Sequence, residues 1–298
     1  MAGPARLACD WGTTNLRAWT LDDAGVVVAH REFPLGVSRL APGEAARRFQ
    51  DEVWLAMGAQ GLPAILCGMV GSNLGWRAVA YADCPAGLDG LREAVREVAP
   101  GVRIVPGLRC RGIAGAPDVM RGEETQILGW LAQQPERQRG RIVLCHPGTH
   151  AKWVLIEDGR IVRFVTAMTG ELFAVLSQHS VLKSDASADD DDAFGAGLAA
   201  AGDGSALAAR LFTARSRVVG GDAPAQGTPS YLSGLLIGAE VASVPQQLGE
   251  RAEHVALLGD ATLCGRYRTA LERIGTAVET FDGEAAAIAG LNALGSAA

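Results

Sequence analysis

Each half of the sequence opens with the same short pattern, and that repeat limits the folds open to the chain. Leu7-Ala8-Cys9-Asp10-Trp11-Gly12-Thr13 matches Val143-Leu144-Cys145-His146-Pro147-Gly148-Thr149: apolar residues, a cysteine, a polar residue, one spacer, then Gly-Thr. Arg17 and Lys152 follow on the outgoing segments. An acidic turn with a glycine comes next in both, Asp22-Asp23-Ala24-Gly25 and Glu157-Asp158-Gly159, and then a third strand-like segment. The turn glycine lies 13 positions beyond the shared glycine in the first copy and 11 in the second. One hairpin is easily matched by chance. A three-strand meander heading both halves is not, and it predicts two related domains. Helix–strand alternation after each meander makes them α/β domains with mixed sheets.

Length agrees, since 298 residues suit two medium domains. A hydrophobic fraction of 48% supplies real cores, and a net charge of -6 without any basic block argues against nucleic acid as a partner. Lysine occurs only at Lys152 and Lys183. No apolar run approaches the roughly 18 residues of a membrane span, and Met1 to Leu7 is too short and polar for a signal peptide. Of six cysteines none forms C-x-x-C, and Cys9, Cys67 and Cys145 lie in apolar strand-like runs. They read as reduced structural residues, which predicts a cytoplasmic protein.

Between the meanders, Phe49, Val53, Trp54 and Met57 predict a helix over about 44–57, and a strand over 62–69 runs into the glycine-rich loop 68–76. Leu88, Leu91, Val95 and Val98 predict another helix, followed by a strand over 102–105, a loop, and a helix beginning near Gly122. The polar linker 133–141 sets the expected boundary, giving domains 1–134 and 135–298. After the second meander, helices are expected over 168–182, from about Asp192, from Thr228-Pro229 to about 244, over 263–274 and over 283–294, with strands at 255–258 and 277–281. The acidic run Ser184 to Asp192 reads as a solvated loop.

The chemistry sits at the meander turns. Backbone N–H groups in a short polar turn converge on anions, so Gly12, Thr13, Thr14 and Asn15 form one candidate phosphate cradle, and Gly148, Thr149 and His150 another, with Arg17 and Lys152 behind them. Two such turns facing across a cleft would clamp a polyphosphate while domain closure excludes water. Asp10 at the mouth of the first turn suits a hydrated Mg²⁺. Phosphoryl transfer also needs a group to orient the attacking hydroxyl. Glu123 and Glu124, in the first turn of the helix after Gly122, fit that role, and ordinary helix capping accounts for them equally well. Ser38, Arg39, Asn73, Trp76 and Arg121 lie in first-domain loops, where an acidic polar substrate would gather. There is no P-loop, no G-x-S-x-G and no H-E-x-x-H, and Pro147-Gly148 prevents His146 and His150 from sharing a helical zinc site.

Seven segments carry a more specific likeness: D-W-G-T-T-N-L-R-A-W (10–19), G-V-S-R-L (36–40), G-M-V-G-S-N-L-G-W (68–76), V-M-R-G-E-E-T-Q (119–126), P-G-T-H-A-K-W-V (147–154), M-T-G-E-L (168–172) and Y-L-S-G-L-L-I-G-A-E-V (231–241). In this order they resemble the 2-dehydro-3-deoxygalactonokinase family of the sugar kinase/actin-like ATPase superfamily. The resemblance implies two similar actin/ribonuclease-H-like domains with an ATP cleft between them. It implies ATP- and Mg²⁺-dependent phosphorylation of the 6-hydroxyl of 2-dehydro-3-deoxy-D-galactonate in bacterial galactonate breakdown. It also implies an adenosine segment at 257–267 containing Gly259 and Asp260, a last helix (283–295) crossing at the hinge, and a general base within the Glu123–Glu124 pair, Glu124 being the acid before a small residue. Many superfamily members repeat the aspartate in the second hairpin; this chain has His146, so Mg²⁺ would rest on Asp10 and water. The C4-epimeric 2-dehydro-3-deoxygluconate as substrate, a phosphoanhydride hydrolase with water as nucleophile, and a non-enzymatic nucleotide-dependent assembly protein are the competing readings. A homodimer is left open.

Overall fold

The computed structural model describes residues 3–183, 189–249 and 253–296. Its strands are β1 (Arg6–Trp11), β2 (Leu16–Leu21), β3 (Val27–Phe33), β4 (Ala64–Gly68), β5 (Ala82–Asp83), β6 (Arg96–Ala99), β7 (Val102–Ile104), β8 (Leu108–Arg111), β9 (Pro117–Met120), β10 (Arg141–His146), β11 (Ala151–Glu157), β12 (Arg160–Ala167), β13 (His254–Gly259) and β14 (Ala277–Asp282). Its helices are α1 (Ala45–Arg48), α2 (Leu88–Ala94), α3 (Glu123–Gln133), α4 (Thr169–His179), α5 (Asp191–Ala201), α6 (Leu207–Leu211), α7 (Thr213–Val219), α8 (Thr228–Ser243), α9 (Ala261–Arg273) and α10 (Gly283–Gly295).

The repeat seen in the sequence extends to whole sheets. The first sheet has the order β3-β2-β1-β4-β7-β6 and the second β12-β11-β10-β13-β14. In each, an antiparallel meander is continued by parallel strands beside its first strand: β4 and β7 on β1, β13 and β14 on β10. The fold is thus α/β with mixed sheets flanked by helices. β1 is covered on both faces, with Leu7, Ala8, Cys9 and Trp11 fully buried, which is why its sequence reads as an apolar run without alternation.

The halves share a core. One apolar cluster contains Ala8 and Ile65 of the first sheet, Leu144 and Ala256 of the second, and residues of α3 and α10. These two helices cross at glycines. A Cβ on Gly129 would stand 2.1 Å from the Ala286 carbonyl oxygen, and one on Gly290 would stand 2.0 Å from that of Thr125. α10 leaves β14 of the second sheet and ends against the first half, where Arg103 donates to the Gly295 carbonyl at 2.5 Å.

Several elements differ from expectation. The predicted helix through Val95 and Val98 ends at Ala94, and Arg96–Ala99 forms β6, pairing with β7 across the Pro100-Gly101 turn and burying Val98. The predicted helix 44–57 is regular only over α1 and then widens into a π-helical turn at Phe49–Trp54. The stretch read as a loop before Met120 holds β8 and β9, which join β5 in a small third sheet. That sheet lies against β12: Ala86 and Ile161 pair, and the Phe164 N–H donates to the Cys110 sulfur at 3.4 Å. Of the acidic run, residues 184–188 lie outside the described residues; Asp190 caps α5, accepting from the Ala193 N–H at 2.8 Å. Among the described residues, no helix is long and apolar enough to cross a membrane.

Candidate active site

The turn between β1 and β2 closes with the Gly12 N–H donating to the Asn15 carbonyl at 2.9 Å. Its outward carbonyls are then covered by the segment after β3: the N–H groups of Gly36, Val37 and Ser38 donate to Thr14, Gly12 and Thr13 at 2.9, 3.1 and 3.1 Å. The approach is close enough to require glycine, since a Cβ on Gly36 would stand 2.1 Å from the Thr13 carbonyl oxygen. Thr13 and Thr14 are exposed, and their N–H groups are spent in no hydrogen bond among the described residues. A turn with its acceptors occupied and its donors open favours an anion. The second turn is braced alike. The N-terminus of α4 lies on it, the Glu171 N–H donates to the Thr149 carbonyl at 3.0 Å, and a Cβ on Gly170 would stand 2.5 Å from the Gly148 oxygen.

Strand register aligns the charged residues behind the turns. Asp10, Arg17 and Glu32 face one another across β1, β2 and β3; His146, Lys152 and Thr166 do so across β10, β11 and β12. In the first ladder Arg17 turns to Asp10, at 2.6 Å from Oδ2. In the second, Lys152 donates to the Thr166 hydroxyl at 3.1 Å and lies 3.7 Å from Glu123 Oε1 of the other half. His146 Nε2 pairs with the Gln126 side-chain oxygen at 2.9 Å, again across the halves. Burial pushes the His146 imidazole below its ordinary pKa.

The two glutamates of α3 part company. Glu124 is fully buried, accepting from the Gly122 N–H at 2.7 Å and the Thr125 hydroxyl at 3.0 Å. Desolvation first, and the neighbouring Glu123 second, push its carboxyl up to about 8. Glu123 is the partly exposed member that faces Lys152. The family resemblance pointed to Glu124 as the base; the structure buries Glu124 fully and leaves Glu123 partly exposed.

Other expected residues also have structural duties. The Ser38 hydroxyl donates to the Thr13 carbonyl at 2.7 Å, and the Asn15 amide to Glu32 at 2.7 Å. His150 pairs with Glu171. The Trp76 ring packs on Phe49 at 5.5 Å, partly buried against the first-half core. Arg121 donates to the Val79 carbonyl at 2.8 Å and lies over the Tyr81 ring. Arg39 and Asn73 are exposed and make no side-chain hydrogen bond among the described residues.

Beside the second turn lies a cavity of about 710 Å³, walled by Gly148, Thr149, Thr169 and Gly170 and by residues of α8 and α9. Asp260 lines it while capping α9, accepting from the Leu263 N–H at 2.9 Å; Gly259 precedes it at the end of β13. Ser230, Ser233 and Arg266 also line it, and the sequence reading passed them over. The signal was present in the helix start at Thr228-Pro229, since positions 230, 233 and 237 fall on one helical face. Arg266 donates to the Ser233 hydroxyl at 3.0 Å. Glu240 lies beneath the cavity, bonded to Trp153 at 2.7 Å and to Tyr267 at 2.8 Å, with its carboxyl raised by burial.

Mg²⁺ commonly takes one or two carboxylates, completing its shell with water and phosphate oxygens. Asp10 can supply one, since Arg17 engages only Oδ2. Among the described residues no group of three or more His, Cys, Asp or Glu side chains forms a protein-only cage.

Two meander-headed α/β halves that share a core, each with a braced polar turn at its head, define a fold suited to phosphoryl transfer. The chain belongs to the 2-keto-3-deoxy-galactonokinase family, which it matches over residues 10–294. It is 36% identical over 293 residues to the 2-dehydro-3-deoxygalactonokinase of Escherichia coli K12, covering 98% of this chain and 97% of that one. It is 38% identical over 297 residues to a protein of Rhizobium meliloti assigned the same activity, covering 96% and 95%. A crystal structure of a proposed 2-dehydro-3-deoxygalactonokinase from Sinorhizobium meliloti superposes with a TM-score of 0.86 at 34% identity, over 97% of each chain. The activator of 2-hydroxyisocaproyl-CoA dehydratase from Clostridium difficile, solved with bound ADPNP, shares the fold at a TM-score of 0.50 and 13% identity, covering 97% of this chain and 94% of that one. Family membership makes the chain a phosphotransferase with an alcohol acceptor and ATP as co-substrate.

Proposed function

We propose that the chain transfers the γ-phosphoryl group of ATP to the 6-hydroxyl of 2-dehydro-3-deoxy-D-galactonate. The observation that carries the chemistry is the meeting of Glu123 and Lys152, 3.7 Å apart and contributed by opposite halves. Residues 1–134 would hold the sugar acid and 135–298 the nucleotide, with the adenosine in the cavity beside Asp260. The Thr13 and Thr14 N–H groups and the second turn would hold phosphate oxygens. Glu123 would orient the hydroxyl and accept its proton, while Lys152 neutralises charge on the moving phosphoryl. Asp10 would hold Mg²⁺ through water, and the ion would supply charge neutralisation at the β- and γ-phosphates. Arg39 and Asn73, exposed on first-half loops, are available to the substrate carboxylate and hydroxyls. All six cysteines are free thiols, which supports the cytoplasmic expectation.

The test is ADP release with the galacto acid, with its C4 epimer and with no acceptor. The reading expects turnover that needs the acceptor and favours the galacto acid. Equal ADP release without acceptor would establish a hydrolase. Glu123→Gln should cut kcat by about two to four decades; an unchanged kcat would remove Glu123 from the role.

A further inference from the structure

Lys152 is 4% exposed, so its ammonium must be aimed by protein groups rather than by water. An ammonium has three protons and no acceptor. One proton goes to the Thr166 hydroxyl, at 3.1 Å, and another faces Glu123 at 3.7 Å. The third is available to a phosphoryl oxygen. Thr166 can accept from Lys152 only if its own proton points elsewhere, and Asp118 Oδ1 takes that proton at 2.6 Å. Asp118 is itself fixed by the Thr166 N–H and the Val119 N–H, each at 2.8 Å. Asp118 belongs to β9 in the first half of the chain and Thr166 to β12 in the second, so the aim of the ammonium depends on a contact between the halves.

We propose that Asp118 and Thr166 are positioning residues, which set the polarity of the Thr166 hydroxyl so that it holds the Lys152 ammonium between Glu123 and the transferring phosphoryl group. The proposal rests on the kinase reading above. It also separates a positioning role from a simple tie between lobes. A tie would be felt in stability, or equally in both substrates' binding. Positioning is felt in the chemical step.

Steady-state kinetics of the full chain with ATP and the galacto acid provide the test, using Thr166→Val, Thr166→Ser and Asp118→Asn. Thr166→Val keeps the shape and loses the hydroxyl. It should lower kcat by about 10- to 100-fold, the scale of a misplaced catalytic group, with both KM values within about threefold. Thr166→Ser should restore kcat to within about threefold of wild type. In Asp118→Asn one acceptor oxygen becomes an NH2 that must face a backbone N–H, that of Val119 or of Thr166, so the bonds that fix the Thr166 hydroxyl are broken and kcat should again fall by about tenfold or more. That variant keeps the side-chain volume and tests the idea independently of Thr166→Val. Valine and asparagine variants with wild-type kcat, a loss confined to KM, or serine failing as badly as valine would each overturn the proposal. Wild-type protein without acceptor-dependent turnover would overturn the kinase reading and the proposal with it; active wild type with indifferent variants would overturn the proposal alone.

Discussion

Replacing Glu124 by glutamine should make the protein more stable at pH 8 and leave it nearly unchanged at pH 5. Burial and Glu123 raise this carboxyl from 4.5 to about 8, so the folded chain retains a proton that the unfolded chain has released. Where the native state binds more protons, stability falls as pH rises. The contribution of Glu124 is therefore fully present below about pH 4.5 and is lost as pH climbs to about 8. At about 1.36 kcal/mol per pKa unit, the loss between pH 5 and 8 is about 3 kcal/mol. At about 2–4 °C per kcal/mol, that is roughly 6–12 °C in Tm. Glutamine reproduces the neutral acid: its oxygen accepts from the Gly122 N–H and its amide donates to the Thr125 hydroxyl oxygen, on the sites the carboxyl uses. Thermal unfolding of both proteins across pH 5 to 8 should show a Tm gap that opens with pH in favour of Glu124→Gln. The same variant should retain turnover to within about threefold, because the acid that faces Lys152 is Glu123 and glutamine keeps the neutral form of the buried Glu124. A gap independent of pH, or a loss of turnover by decades, would refute the reasoning.

Other expectations follow from particular contacts. Gly129→Ala would push α3 from α10, because the added Cβ meets the Ala286 carbonyl oxygen at 2.1 Å. It should cost about 3 kcal/mol in urea unfolding, the upper range for overpacking. Arg266→Ala should raise the KM for ATP about tenfold and leave kcat unchanged, since Arg266 walls the second-half cavity and braces Ser233 without reaching Glu123; initial rates at varied ATP would check this.

The meanders were legible because β1 and β10 are buried on both faces and their turns have a distinctive composition, so pattern and position agreed. The helix through Val98 was misread because Leu88, Leu91, Val95 and Val98 keep helical spacing, although the chain turns to strand at Arg96 and Val98 is buried by β6 instead. β8 and β9 are only Leu108–Arg111 and Pro117–Met120, too short for periodicity, although they pair with each other across residues 112–116. At the site, residue type pointed to the Glu123–Glu124 pair but could not choose between them, because neighbours in the first turn of a helix point in different directions. Only packing against the Gly122 loop buries Glu124. Ser38 and Asn15 were read as ligand donors from their chemistry; both spend their donors on building and bracing the turn. The contribution of Asp118 was illegible, since nothing local ties it to Thr166, 48 positions away.

The presence of His146 where the resemblance implies an aspartate explains why the two related meanders carry unequal charges behind their turns. Arg17 stands opposite Asp10 and lies 2.6 Å from its Oδ2, so the first ladder pairs its own charges and leaves the second Asp10 oxygen open to a cation. Lys152 stands in the corresponding register opposite His146. An aspartate there would hold the ammonium within its own sheet as Asp10 holds Arg17. A part-buried imidazole pushed toward its neutral form does not, and it turns instead to Gln126. Lys152 is thus left without an acid in its own sheet, and the carboxylate it faces is Glu123 of the other lobe. The first turn then has a carboxylate oxygen open to a cation, and the second has an ammonium whose facing acid comes from the other half of the chain. Under the proposed kinase reading that division would place a hydrated Mg²⁺ on one side of the transferring phosphoryl group and the Lys152 ammonium on the other.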